Sequence, residues 1–224
     1  MKVYEFAQYS SDWWAVRRGV PTASEFSSII TPEKGQLSKQ AHSYACQLVA
    51  DLFDPYYGCH EDYQTAAMRN GTIMEPEARR FYAFDRGEDV RQVGFCTTDD
   101  GRFGCSPDGL VGDEGGLELK SPSPKVHVQY LLAGGVPAEY RPQVHGHLVV
   151  TGREWWDFMS YCRGFPPLLV RVVPDDYTAA LRKALDGFWV QYQAMLASVR
   201  DMAGEVPPLG MPKVKQTPDP IFMA

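Results

Sequence analysis

The chain has 224 residues, of which 44% are hydrophobic, 22% charged and 12% aromatic. That balance excludes a disordered polymer, a collagen and a coiled coil, and the length suits one globular domain that buries about 70% of the surface its unfolded chain exposes. The formal net charge of −6 argues against a protein that coats nucleic acid nonspecifically. It still permits an enzyme that grips a polyanion at one site, because carboxylates gathered around cations add negative charge that the bound ions offset.

No apolar run approaches the roughly 20 residues of a membrane span, and Met1-Lys2-Val3-Tyr4-Glu5 lacks the apolar stretch of a secretory leader. Cys46, Cys59, Cys96, Cys105 and Cys162 are odd in number and contain no C-x-x-C pair. They predict reduced, mostly buried thiols in a cytosolic protein, and neither a disulfide framework nor a structural zinc site.

In chain order, Arg17-Arg18-Gly19-Val20-Pro21 reads as a loop, and Thr22-Ala23-Ser24-Glu25 as the capping box of a helix. Ser38 is placed to cap a second helix whose apolar positions Ala41, Tyr44, Ala45, Leu48, Val49 and Leu52 keep helical spacing up to Asp54-Pro55. A third helix is predicted from Tyr63 to Arg86, with a break near Gly71. A strand-rich centre follows: Val90 to Cys96, Phe103 to Cys105, Leu110-Val111, and Leu117 to Lys120 after the turn at 112–116. Helices are predicted over Lys125–Ala133 and Pro137–Val150, strands over Trp155–Cys162 and Leu168–Val173, and a final amphipathic helix over Tyr177–Met202. Helices before, between and after strands predict an α/β domain with a mixed sheet over residues 1–204. Residues 205–224 form a Pro-rich tail, either a loosely ordered end or a strap on a neighbouring subunit.

The chemistry concentrates between Cys105-Ser106-Pro107-Asp108-Gly109 and Leu117-Glu118-Leu119-Lys120. Glu118 and Lys120 are two apart on a predicted strand and so share a face, and the hairpin brings Asp108 beside them. Oxygen ligands of this kind select hard cations, above all Mg²⁺. Such an ion supplies an activated water for phosphodiester hydrolysis, and a neighbouring lysine orients or deprotonates that water and balances phosphate charge. An ion-paired edge strand would carry the same residues.

The segments Ser106-Pro107-Asp108-Gly109-Leu110 and Gly116-Leu117-Glu118-Leu119-Lys120 resemble the PD-(D/E)xK nuclease signature, and more narrowly the phage lambda exonuclease and YqaJ-like viral recombinase family. Trp13-x-x-x-Arg17-x-Gly19-Val20-x-Thr22-Ala23-Ser24, the helix motif Gly71-x-x-x-Glu75-x-x-Ala78-Arg79, and Gln143-Val144-His145 are similar to further motifs of that family in the same order. Pro21, and His145 in place of the family's second glutamine, depart from the pattern.

The resemblance implies a restriction-endonuclease-like core, a central mixed β-sheet flanked by helices. It implies that Asp108 and Glu118 ligate metal together with the Leu119 carbonyl and Glu75, and that Lys120 is the catalytic lysine. Glu75 can equally be a helix glutamate paired with Arg79 four residues on. Arg17 and Ser24 would hold a terminal 5′-phosphate, with Arg18 an alternative to Arg17. Gln143 and His145 would support the site, whereas the spacing of His145 and His147 suits packing better than metal ligation. Met68 stands where the family has an apolar wedge that splits the end base pair, although a methionine near a helix break also suits a core.

The implied activity is a Mg²⁺-dependent 5′→3′ exonuclease with two ions, Mn²⁺ being a substitute. It would act on linear double-stranded DNA, release mononucleotides and leave 3′ overhangs. The implied assembly is a homotrimeric ring that hands its overhang to a phage single-strand annealing protein, in a bacterial cytoplasm and from a phage or prophage gene. The same catalytic residues would serve an endonuclease, and a catalytically silent DNA-end-binding protein is the rival from another class.

Overall fold

The computed structural model describes residues 1–58 and 66–210, with side chains left out over 66–72. Its elements in chain order are β1 (Lys2–Tyr4), α1 (Ser11–Arg17), a 3₁₀ turn (Ala23–Ser28), α2 (Ala41–Phe53) and α3 (Ala66–Arg86). The strands β2 (Val90–Arg91), β3 (Phe95–Thr97), β4 (Gly104–Cys105), β5 (Gly109–Val111) and β6 (Gly115–Lys120) follow. Then come α4 (Pro124–Ala133), α5 (Arg141–Thr151), β7 (Trp155–Ser160), β8 (Leu168–Val172) and α6 (Asp176–Ala203).

A five-stranded sheet of order β2-β5-β6-β7-β8 carries the fold, beside a smaller one of order β1-β3-β4. β6 and β7 run parallel and the other pairs antiparallel, which makes the larger sheet mixed. The parallel pair is joined through α4 and α5, the long crossover that such a pair requires.

Alternation along β6 assigns its two faces. Leu117 and Leu119 pack with Ala78 and Tyr82 of α3 and with Met159. On the other face Trp156 and Phe158 join the main core with Val144 and Leu148 of α5 and with Leu181 and Leu185 of α6. Each such side chain, fully buried, stabilises by about 1.5–3 kcal/mol. Gly116 is required where it stands, since a Cβ there would lie 2.2 Å from the Trp156 ring.

Several expectations change. Val90–Cys96 is not one strand. It divides into β2 and β3, which belong to different sheets. Gly94 makes the crossing possible, because a Cβ there would sit 2.0 Å from the Phe6 carbonyl oxygen. The capping-box segment forms only a six-residue 3₁₀ turn, and Thr22 makes no side-chain cap bond. α3 continues through both Gly71 and Pro76, so the expected break is absent; an interior proline removes only one rung of the helix ladder. On α3, Tyr82 is fully buried whereas Phe84 is 91% exposed. The first part of the tail packs on its own chain, with Gly210 N–H donating to the Pro55 carbonyl at 2.6 Å. Among the described residues Cys46, Cys96, Cys105 and Cys162 are free thiols, and no helix is long and apolar enough to cross a membrane.

Candidate active site

Asp108 immediately precedes β5 and Glu118 lies on β6. The ladder pairs Gly109 with Leu117, so one step further along it Asp108 comes opposite Glu118. The Asp108 carboxylate accepts the Leu119 N–H at 2.6 Å. Glu118 is 1% exposed, and its Oε1 lies 2.5 Å from Lys120 Nζ. The Lys120 ammonium also sits 4.9 Å from the centre of the Tyr140 ring, a cation–π distance.

α3 delivers the next carboxylate. Glu75 pairs with Arg79 four residues on. The Arg79 Nε also donates to the Asp108 carbonyl at 2.8 Å, which ties the Glu75 turn of the helix to the Asp108 loop.

α1 and the loop after it supply the arginines. Arg17 donates to Ser106 Oγ at 3.2 Å and lies 3.5 Å from Thr22 Oγ1. Its guanidinium stacks 4.2 Å from the Trp13 ring centre. Trp13 donates to the same Ser106 hydroxyl at 3.0 Å. Burial pushes the Arg17 pKa below its ordinary value, and its buried Nε has no hydrogen-bond partner among the described residues. Arg18 is committed elsewhere. Its Nε donates to the Asp51 carbonyl at 3.0 Å, its Nη1 to that of Pro207 at 2.9 Å, and its Nη2 to that of Leu52. It therefore closes the C-terminal end of α2, where carbonyls lack helical partners.

A single cleft of about 570 Å³ is lined by Arg17, Ser24, Glu75, Asp108, Glu118, Leu119, Lys120 and Gln143. His145 is not among them. It is buried on the other side of α5, its Nδ1 2.8 Å from Thr178 Oγ1 and its ring against Tyr177. The expected supporting role is corrected accordingly: the helical period turns His145 away from the face that carries Gln143. His147, four residues beyond Gln143, returns to that face, and its Nε2 lies 2.9 Å from Glu118 Oε2. The spacing gives His147 a packed or surface role and does not disclose this contact. The Met68 side chain lies outside the described residues.

Comparison with protein families gives a match to the YqaJ-like viral recombinase domain over residues 12–154, more than half of the chain. The chain belongs to the YqaJ-like viral recombinase family. Among solved structures, this chain is similar to the alkaline exonuclease LHK-Exo of Laribacter hongkongensis, with 30% identity and a TM-score of 0.75 over 88% of this chain and 100% of that one. It matches the complex of LHK-Exo with dAMP at 29% identity and a TM-score of 0.75, over the same 88% and 100%. A phage related exonuclease from Haemophilus somnus 129PT shares the fold, at 12% identity and a TM-score of 0.63 over 80% of this chain and 96% of that one. Comparison with curated proteins gives no match. The mixed sheet flanked by helices is therefore the restriction-endonuclease-like fold of these neighbours. The matched span holds every candidate site residue.

The electrostatics of the site are those of crowded carboxylates. Burial, then the negative charges of Glu118 and Glu75, push the Asp108 carboxyl well above its ordinary pKa. Burial also acts to raise Glu118, but Lys120 and His147 outweigh it and hold that carboxyl at about 2. For Lys120, burial alone would lower the pKa, yet Glu118 and Asp108 raise it, so the ammonium stays charged.

Three carboxylates thus converge on one cleft beside a single facing lysine. Carboxylates gathered on one cleft in this way suit a hard cation with oxygen ligands. Among the described residues no three Asp, Glu, His or Cys side chains stand ready-grouped as ligands. Glu75 is drawn to Arg79, and Glu118 to Lys120 and His147.

Proposed function

We propose that the chain is a Mg²⁺-dependent exonuclease that degrades the 5′-phosphorylated strand of linear double-stranded DNA in the 5′→3′ direction. The observation that carries this reading is the shared cleft, which joins the Asp108, Glu118 and Lys120 side chains to the half-buried guanidinium of Arg17. The first three suit phosphodiester hydrolysis. A half-buried arginine whose Nε has no hydrogen-bond partner among the described residues suits a terminal phosphate, whose oxygens match the planar fork. The segment is a short 3₁₀ turn and not the expected α-helix, and Ser24 would contribute its exposed hydroxyl, 3.2 Å from Thr22 Oγ1.

Asp108, Glu118, Glu75 and the Leu119 carbonyl would hold two Mg²⁺ ions, or Mn²⁺ in their place. Bound there, the metal supplies a nucleophilic water of lowered pKa and stabilises the leaving oxygen. Lys120 would orient that water and balance charge on the scissile phosphate. While its ammonium is paired with Glu118 it is a donor and not a base. Arg17 would hold the 5′ end and so set the polarity. The complex of LHK-Exo with dAMP supports mononucleotides as products. Strand removal would leave 3′ overhangs for a phage single-strand annealing protein, in the cytoplasm of a bacterial host. A trimeric ring would let a chain of net charge −6 retain DNA by topology instead of by net attraction.

End-labelled digestion tests the reading. Linear duplexes with a 5′-phosphate or a 5′-hydroxyl, and closed circles, are incubated with Mg²⁺ or with EDTA. Mg²⁺-dependent loss of the 5′-phosphorylated strand with circles untouched is expected. Cutting of circles would establish an endonuclease instead, and end binding without cutting a silent end-binding protein.

A further inference from the structure

We infer that His147 is a positioning residue: it holds one oxygen of Glu118 and leaves only the other for a divalent cation. The inference rests on the metal reading above and deepens it.

The two Glu118 oxygens have separate partners. Oε2 lies 2.9 Å from His147 Nε2, and Oε1 lies 2.5 Å from Lys120 Nζ. An ionised carboxylate can only accept, so His147 Nε2 carries the hydrogen. Nδ1 is buried without a hydrogen-bond partner among the described residues. With the hydrogen on Nε2, Nδ1 is a bare acceptor and no N–H is stranded. The imidazole lies parallel to the Trp156 indole, with centres 4.5 Å apart and planes 6° apart. Trp156 is itself fully buried and seated over Gly116. The ring is therefore held by a stack and one hydrogen bond at a position only 1% exposed.

The two partners differ in how readily they yield. The His147 side chain is 1% exposed, whereas that of Lys120 is 25% exposed and reaches Glu118 on a flexible stem. A cation approaching from the cleft must take an oxygen from one of them. Lys120 can swing away and His147 cannot, so Oε1 becomes the ligating atom and Glu118 binds through one oxygen. The same exchange frees the lysine ammonium from Glu118 as the cation arrives. Partners that orient a ligating carboxylate in this way are worth roughly 10–100-fold in metal affinity.

The test is calorimetric titration with Mn²⁺ in the absence of DNA, together with the Mg²⁺ concentration that half-saturates cleavage. His147→Met removes the donor while filling the space, and is expected to weaken Mn²⁺ binding roughly 10–100-fold. His147→Gln keeps a donor of similar reach and should stay within roughly threefold of wild type. His147→Asn, one methylene shorter, should lose affinity as His147→Met does, and this pair serves if the methionine variant does not fold. Equal affinities for the Gln and Asn variants, or wild-type affinity in His147→Met, would overturn the role of His147. Glu118→Gln separates the two levels of argument. A wild-type protein that binds no Mn²⁺ overturns the metal reading itself. Binding that Glu118→Gln abolishes and His147→Met leaves intact overturns only the positioning role.

Discussion

Arg79 donates from Nε to the backbone carbonyl of Asp108 while its Nη2 pairs with the Glu75 carboxylate. One side chain thus sets the distance between the helix glutamate and the loop aspartate. Arg79→Lys keeps the charge but cannot make both contacts, because an ammonium is a point donor and the guanidinium a fork. Cleavage by Arg79→Lys is expected to fall roughly 10–100-fold, the range for partners that orient metal ligands. The variant should also lose about 1–3 kcal/mol of stability from the broken charged hydrogen bonds. A Mg²⁺ titration of cleavage and a urea melt check the two parts.

Asp108 predicts a pH dependence that runs against the usual carboxylate trend. Burial and its carboxylate neighbours raise its pKa in the folded, metal-free protein above the ordinary 3.8. The stability it contributes is therefore fully present below that ordinary value and is lost as pH rises through the raised one. Asp108→Asn removes the ionisation while keeping an oxygen that can accept the Leu119 N–H. In EDTA, the variant should melt increasingly above wild type as the pH is raised from acidic to neutral. Thermal melts across that pH series check the sign, and a difference that shrinks with pH would contradict it. Mg²⁺ should raise the melting temperature of wild type and leave the variant nearly unmoved, since ligands stabilise the state that binds them.

These features differ in how far the sequence discloses them. Asp108, Glu118 and Lys120 are legible because a hairpin and a two-residue strand period are local rules, and the ladder obeys them. His147 is not, because spacing says that positions 145 and 147 face apart without saying which one meets the sheet. Only the docking of α5 on Trp156 decides that, and it decides for the residue four beyond Gln143. The segment after Thr22 follows a capping pattern, yet the Thr22 hydroxyl is engaged by Arg17 and Ser24 and a regular helix does not form. The choice between Arg17 and Arg18 is equally tertiary, since α2 and the tail must be in place before Arg18 finds its carbonyls.

Arg17 and Arg18 should then separate cleanly in experiment. Arg17→Lys is expected to erase most of the preference for 5′-phosphorylated over 5′-hydroxyl ends, because a lysine at this depth cannot reproduce the bidentate fork. Arg18→Lys should leave that preference unchanged and lower stability, since it uncaps the end of α2. Paired digestions of the two substrates, with a urea melt of each variant, check this. Loss of end preference in Arg18→Lys alone would move the phosphate to the other arginine.

Arg153 stands between α5 and β7, and its Nη1 reaches the carbonyls of Val111, Gly112 and Gly115 at 3.3, 2.8 and 2.6 Å. These carbonyls belong to the hairpin between β5 and β6, the element that sets Asp108 against Glu118. Arg153 is 9% exposed, so removing it strands acceptors that little water can reach. Arg153→Met is expected to cost about 1–3 kcal/mol for each acceptor left unsatisfied. If the hairpin carries the active site, cleavage should fall further than the loss of folded protein accounts for, because Asp108 and Glu118 lose their relative position. Cleavage measured well below the melting temperature, beside a urea melt, distinguishes the two effects. Full activity per folded molecule would show that the ladder between β5 and β6 holds the carboxylates without the arginine.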